Sequence, residues 1–231
     1  MEIIFENKSC VVVNKASGES AEPLPPGSGM IDLPRLLAER PGVFFAVHRL
    51  DVPVSGCVLF AKNRKALSFL GRAFAEHSAG ADNGVKKIYW AVVETPEGEI
   101  PRDGEYVHWI GSGGKSKSKA FNSEGPGLKR AVLRCRAAGR GERYLFLEIE
   151  PLTGRRHQIR AQLAALGLHI KGDLKYGAKR SDPGGGIHLH ARSLSFPDPI
   201  GRGLITAAAP PPTGPEGSPD RLWRAFEECG P

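Results

Sequence analysis

Two short apolar runs, residues 43–47 and 57–61, are separated by His48-Arg49-Leu50-Asp51-Val52-Pro53-Val54-Ser55-Gly56. Runs of this length bounded by turn residues read as buried strands rather than helices. Pro53 and Ser55-Gly56 are turn formers, so the link between the strands is tight and its backbone fixed. The chain must therefore hold one acidic residue, Asp51, with Arg49 beside it, at a strand junction. A carboxylate in such a place is either structural or catalytic.

The rest of the chain continues a strand series. Residues 3–5, 11–13, 87–94, 106–110, 131–137, 144–150 and 188–196 carry strand patterns, and Tyr89 and Trp90 must point to opposite faces of theirs. In 131–137, Ala131, Leu133, Cys135 and Ala137 share an apolar face while Arg134 and Arg136 share the other. Helical spacing appears at 33–40, with Pro34 in the first turn, and at 64–77 after the N-cap Asn63, with Leu67, Leu70, Ala73 and Phe74 on one face. A third helix is predicted over 156–166, closed by Gly167. Helices do not alternate regularly with strands, which predicts an α+β fold with a mixed, largely antiparallel sheet and flanking helices. The expected organisation is one domain over 1–206. A Pro/Gly-rich tail follows over 207–231, ending in a short helix capped by Asp220, with Leu222, Trp223 and Phe226 as its apolar face.

Charge narrows the function classes. The formal net charge of +7 points to a polyanionic partner. Basic residues concentrate in 115–143 and again in 155–180, where Asp173 is the one acid. Solvated basic surface is the bland reading of the same cluster. No apolar run is long enough for a membrane span, and the N-terminus lacks a signal-peptide pattern. Cys10, Cys57, Cys135 and Cys229 are widely spaced, against a disulfide framework or zinc site and in keeping with a reducing cytoplasm. His188-x-His190 has the look of a metal pair but no nearby acidic or cysteine third ligand in sequence. Gly113-Gly114-Lys115-Ser116 lacks the spacing of a phosphate loop and reads as a hairpin tip. Asp173, beside Gly172, reads as a structural turn residue, and Trp109, Phe121 and Trp223 as core or docking aromatics.

In the predicted helix 156–166, Ile159, Gln162, Leu163 and Leu166 form a buried stripe bordered by Arg156 and Arg160, four residues apart. Two guanidiniums in that position suit phosphates or a buried carboxylate.

Three ordered blocks carry a family resemblance: the Asp51 loop, Lys87-Ile88-Tyr89-Trp90-Ala91-Val92-Val93, and Thr153-Gly154-Arg155-Arg156-His157-Gln158-Ile159-Arg160 with Gly167 to Gly177 behind it. Together they resemble the ribosomal large-subunit (RluA) type of RNA pseudouridine synthases. The departures are N-terminal: Lys15 is followed by Ala16 and Glu22 precedes Pro23 where that family has lysine-proline and histidine-proline pairs. Val54 stands where a threonine is usual. The resemblance implies that 1–206 is a catalytic domain with no appended N-terminal RNA-binding module, which isomerises uridine in ribosomal or transfer RNA as a monomer without metal or organic cofactor. It assigns Asp51, Tyr89 and Arg160 to catalysis and His48, Arg49, Arg156, His157 and Gln158 to substrate binding. Asp51 would act as nucleophile or as the base that removes a ribose proton, ion-paired to Arg160, with Tyr89 stacked on the target base. Arg49 would fill the gap left by the extruded base or hold the displaced phosphate. The competing readings are a non-catalytic RNA-binding protein on the same fold and a glycosidase, for which a second acid beside Asp51 is missing from the blocks.

Overall fold

A computed structural model describes residues 1–25, 27–96, 102–114, 116–201, 203–213 and 220–229. In chain order the elements are β1 (Glu2–Glu6), β2 (Cys10–Lys15), α1 (Leu33–Ala38), β3 (Phe45–Ala46), β4 (Ser55–Ala61), α2 (Arg64–Ala79), β5 (Lys86–Glu94), β6 (Gly104–Ser112), β7 (Ser118–Phe121), β8 (Lys129–Arg140) and β9 (Tyr144–Pro151). They continue with α3 (Gln158–Ala165), a 3-10 turn (Leu174–Tyr176), β10 (Leu189–Pro197), β11 (Leu204–Ala208) and α4 (Arg221–Cys229). The strands form one 11-stranded sheet in the order β1-β2-β4-β10-β5-β9-β8-β6-β7, with β11 joined to β10 and β3 to β4. Among the described strands only β4 and β10 pair in parallel. The fold is α+β with a mixed, largely antiparallel sheet, as the pattern predicts.

Both faces of the sheet are covered, and period-two alternation sorts the side chains between them. Val11, Val13, Val58 and Phe60 join α1 and α3 in one core, while Cys10, Val12, Cys57, Leu59 and Ala61 join α2, β10 and β11 in another. This two-sided burial is why β4 reads as a continuous apolar run. A third cluster seats α4: Trp223 and Phe226 pack with Trp90, Val92 and Phe146, and the Trp90 and Phe226 rings stack at 4.5 Å. Asn63 caps α2 as expected, its side chain accepting from the Ala66 N–H, and Gly80 ends the helix in the left-handed region. Asp220 caps α4 through the Leu222 N–H.

Several expectations are corrected. The strand at 43–47 shrinks to β3, and it is not buried: Val43 is 59% exposed, because β3 pairs only with β4. The boundary drawn at 206 falls inside β11, and Ala207 and Ala209 are buried rather than part of a loose tail. Residues 214–219 of that predicted tail, and Lys115 of the basic cluster, lie outside the described residues. The helix predicted over 156–166 begins only at Gln158, because His157 adopts φ 52°. Arg156 therefore precedes the helix and does not share an edge with Arg160. The basic face of β8 is also less bare than its sequence neighbourhood suggests. Arg134 meets Glu105 and Glu150, and Arg136 meets Glu148, all from adjacent strands.

Candidate active site

The loop that carries Asp51 is tied down by backbone acceptors. The Val54 N–H donates to the Asp51 carbonyl, closing the turn. Val52 O accepts from the Gly18 N–H and from Lys15 Nζ at 3.0 Å. Pro53 O accepts from Ser17 Oγ and the Ile187 N–H. Lys15 is fully buried and also donates to the carbonyls of Ala16 and Glu19, so its charge is spread over three oxygens. Burial pulls its ammonium down to about 8. Gly56 leaves the loop at φ 111°, and a Cβ there would lie 2.3 Å from Ala191 O. Only glycine permits β4 to run this close to β10.

Asp51 meets Arg160 across the cleft, at 2.9 Å from Nη1 to Oδ2. Arg160 is 5% exposed and its other donors are committed: Nε and Nη2 form a two-point pair with the buried Asp173 at 2.7 and 2.8 Å. Its guanidinium also lies 4.7 Å from the centre of the Tyr176 ring. Of the two alternatives that the residue types left open, Arg160 takes the carboxylate. Asp51 keeps 18% of its side chain exposed, and Oδ1 has no hydrogen bond among the described residues. One carboxylate oxygen is thus anchored and the other is open to a ligand.

His157 completes this corner. Its Nε2 is 3.7 Å from Asp51 Oδ2, and its Nδ1 is 2.8 Å from the Tyr176 hydroxyl. A carboxylate opposite Nε2 favours the tautomer protonated there, with Nδ1 accepting from Tyr176. Burial outweighs Asp51 and lowers the His157 pKa. Gln158 holds the preceding turn: Oε1 accepts from Thr153 Oγ1 and the Arg155 N–H, and Nε2 donates to Val132 O. Gly154 lets that turn approach α2, since a Cβ would lie 2.3 Å from Ser78 Oγ.

Tyr89 projects from β5 into the same cleft. Burial, reinforced by Asp51, raises its pKa above the ordinary phenol value, so it remains a neutral hydroxyl and an aromatic platform. His48 lines the cleft too, but its ring is engaged. Nε2 accepts from the Leu59 N–H at 3.1 Å, and the ring stacks on Phe74 at 4.9 Å. Burial pulls its pKa down to about 3, so it stays uncharged. Arg49 and Arg156 are exposed at the rim, where Arg49 pairs with Glu22 and Arg156 donates to Ser116 Oγ. The cleft measures about 820 Å³, within the range of small-molecule sites.

Sequence reasoning named three contributors without giving them a place in the site: Asp173 as the second partner of Arg160, Lys15 under the Asp51 loop, and Lys87, quoted in the second block, in the cleft wall. The histidine pair falls elsewhere. His190 bonds to Ser55 Oγ and Ala209 O, whereas His188 faces Asp220 and also Asp182, a nearby acid in the sequence that the reading of the pair overlooks.

A basic cleft that presents one arginine-anchored carboxylate beside an aromatic ring has the chemistry to act on a nucleobase or nucleoside. Comparison with known proteins narrows that class. The family described as RNA pseudouridylate synthase matches residues 9–165, and the chain belongs to that family. An uncharacterized RNA pseudouridine synthase of Synechocystis is 29% identical over 92% of this chain, which spans 66% of that relative's length. The dual-specificity RNA pseudouridine synthase RluA of Vibrio cholerae is 30% identical over 91% of this chain and 82% of its own. The solved structure of human RNA pseudouridylate synthase domain containing 1 superposes with a TM-score of 0.73 at 25% identity, covering 98% of this chain and 94% of that one.

Proposed function

We propose that this chain isomerises specific uridines of structured ribosomal or transfer RNA to pseudouridine. The observation that carries the reading is Asp51, anchored at Oδ2 by Arg160 and open at Oδ1, in one cleft with Tyr89. The reaction breaks the C–N glycosidic bond, turns the uracil and joins its C5 to the ribose carbon, while the C5 proton leaves and a nitrogen regains one. Attack on the sugar and removal of a ribose proton both ask for a carboxylate oxygen facing the substrate, which Oδ1 supplies. Arg160, held by Asp173, keeps that carboxylate oriented and is a positioning residue as much as a counter-charge. Tyr89 stacks on the extruded base near the departing proton. Arg49 and Arg156 meet phosphates at the rim, and His48, His157 and Gln158 shape the pocket around the base.

The isomerisation is redox-neutral and hydrolyses nothing, so the scheme runs on side chains alone. In this reading the enzyme works as a monomer in the cytoplasm. No described helix is long and apolar enough to cross a membrane. Mapping pseudouridines in ribosomal and transfer RNA of cells with and without the gene tests the proposal. Loss of one or a few defined sites is expected, and an unchanged map contradicts it.

A further inference from the structure

The scheme above leaves two cleft cations without a task, Arg155, whose Nε donates to Arg130 O, and Lys87. Lys87 lies two residues before Tyr89 on β5, so both side chains leave the same face of the strand, about 7 Å apart. Both line the cleft. Its neighbour Lys86 leaves the opposite face and reaches Glu150 at 4.0 Å. Lys87 has no such partner: among the described residues no carboxylate and no hydrogen-bond acceptor meets Nζ, which lies 5.9 Å from the centre of the Phe74 ring. The surrounding wall offers no counter-charge. Besides Phe74 it contains His48, and His77 lies close by; burial, with Lys87 adding to it, holds both imidazoles neutral. Among the described residues Asp51 is the one acid that lines the cleft, and Arg160 already holds it.

A cation set in a partly desolvated wall without compensation costs stability, a cost that an anionic ligand beside Nζ would offset. Burial draws the Lys87 ammonium down to about 8, and an anion placed beside it would reverse that shift. The cleft is open beside it: a Cβ added to Gly71 of α2, another lining residue, would meet nothing within 4 Å. Uracil and ribose are neutral, and phosphate is the anion that RNA brings.

We propose that Lys87 is a positioning residue that holds a backbone phosphate of the RNA strand against the α2 wall, setting the target base over Tyr89. This assignment rests on the uridine-isomerising reading of the cleft. It places one phosphate inside the cleft, in addition to those met by Arg49 and Arg156 at the rim, and it explains why β5 carries a lysine where a core-facing strand would gain from an apolar residue.

The test uses the full chain and a ribosomal or transfer RNA transcript carrying uridine tritiated at C5. RNA affinity is measured by filter binding across ionic strength in the Asp51→Asn background, so that the transcript stays unconverted. Lys87→Met, which keeps the apolar stem against Phe74, is expected to weaken binding roughly tenfold. It should also make the slope of log affinity against log salt shallower by about 0.7 to 0.9, the signature of one lost phosphate contact. Lys87→Arg should restore most of both. A merely structural lysine would leave the slope untouched, and an unaltered slope in Lys87→Met overturns the assignment while tritium release by the wild-type chain keeps the uridine reading standing. If the wild-type chain releases no tritium from any ribosomal or transfer RNA transcript, the uridine reading falls and the Lys87 assignment with it.

Discussion

At Arg160 the chain commits one guanidinium to two carboxylates, Asp51 on the loop before β4 and Asp173 behind it. The Asp173 pair is planar and two-point, which a lysine cannot reproduce. Arg160→Lys should therefore keep RNA affinity near the wild-type value and lose most of the single-turnover rate. Arg156→Lys, at the exposed rim, should show the reverse balance; equal behaviour of the two variants would contradict the division of labour. Arg160→Ala leaves two carboxylates facing each other in a buried corner and should cost about 3 to 5 kcal/mol in urea unfolding. Much of this corner was legible in the residues: the tight loop singles out Asp51, and the third block singles out Arg160. Asp173 was read only as a turn residue, although it is the one acid in the basic stretch 155–180. That isolation was the available signal. Its meaning depended on folding the 3-10 turn back under α3, which no local pattern specifies. The surroundings of Lys15 and Lys87 were illegible for a related reason: a lysine in a strand pattern normally snorkels to water, but Lys15 is fully buried and Lys87 lines the cleft.

Among the elements, α4 shows best what sequence can and cannot reveal. Its cap and its apolar face were readable from Asp220, Leu222, Trp223 and Phe226, but not the site it docks on. His188 forms the clasp. Nδ1 lies 3.1 Å from Asp182 Oδ2, Nε2 lies 3.3 Å from Asp220 Oδ2, and the ring stacks on Trp223 at 5.3 Å. Lys171 faces the same cluster through its pair with Asp182. Burial alone would depress the His188 pKa, but the two aspartates outweigh it and raise the pKa above the ordinary value. A raised folded-state pKa contributes stability that is complete below about pH 6.5 and is lost as pH rises through the folded value. The difference in Tm between wild type and His188→Asn should thus be widest near pH 6 and narrow steadily towards pH 9. A gap that does not change with pH would show that His188 is clasped as a neutral ring. The Asp220 half of the pairing was illegible because β10 and β11 intervene, whereas Asp182 stands close to His188 in the sequence and only its turn back onto the ring was hidden.

For the molecule as a whole, composition foretold a basic surface but not its arrangement. Counting along the chain left the arginines of β8 unopposed, whereas the sheet order sets β8 between β9 and β6 and supplies Glu148, Glu150 and Glu105. Around the cleft, Lys87, Arg155 and Arg156 stand without an ion pair among the described residues. The fold class followed from strand periodicity, while the strand order, with its parallel β4–β10 contact, came only from the structure, because pairing partners lie far apart in sequence. RNA affinity should fall steeply between about 50 and 200 mM salt, since each phosphate contact releases counterions. A flat response in filter binding would leave the cleft charge as ordinary solvated surface. The most direct test of the account is Asp51→Asn, which keeps the size of the side chain and removes its capacity to act as nucleophile or base. With RNA tritiated at uridine C5, the variant should bind the transcript nearly as well as the wild type and release no tritium above background. Tritium release at the wild-type rate would contradict the assignment of the chemistry to Asp51.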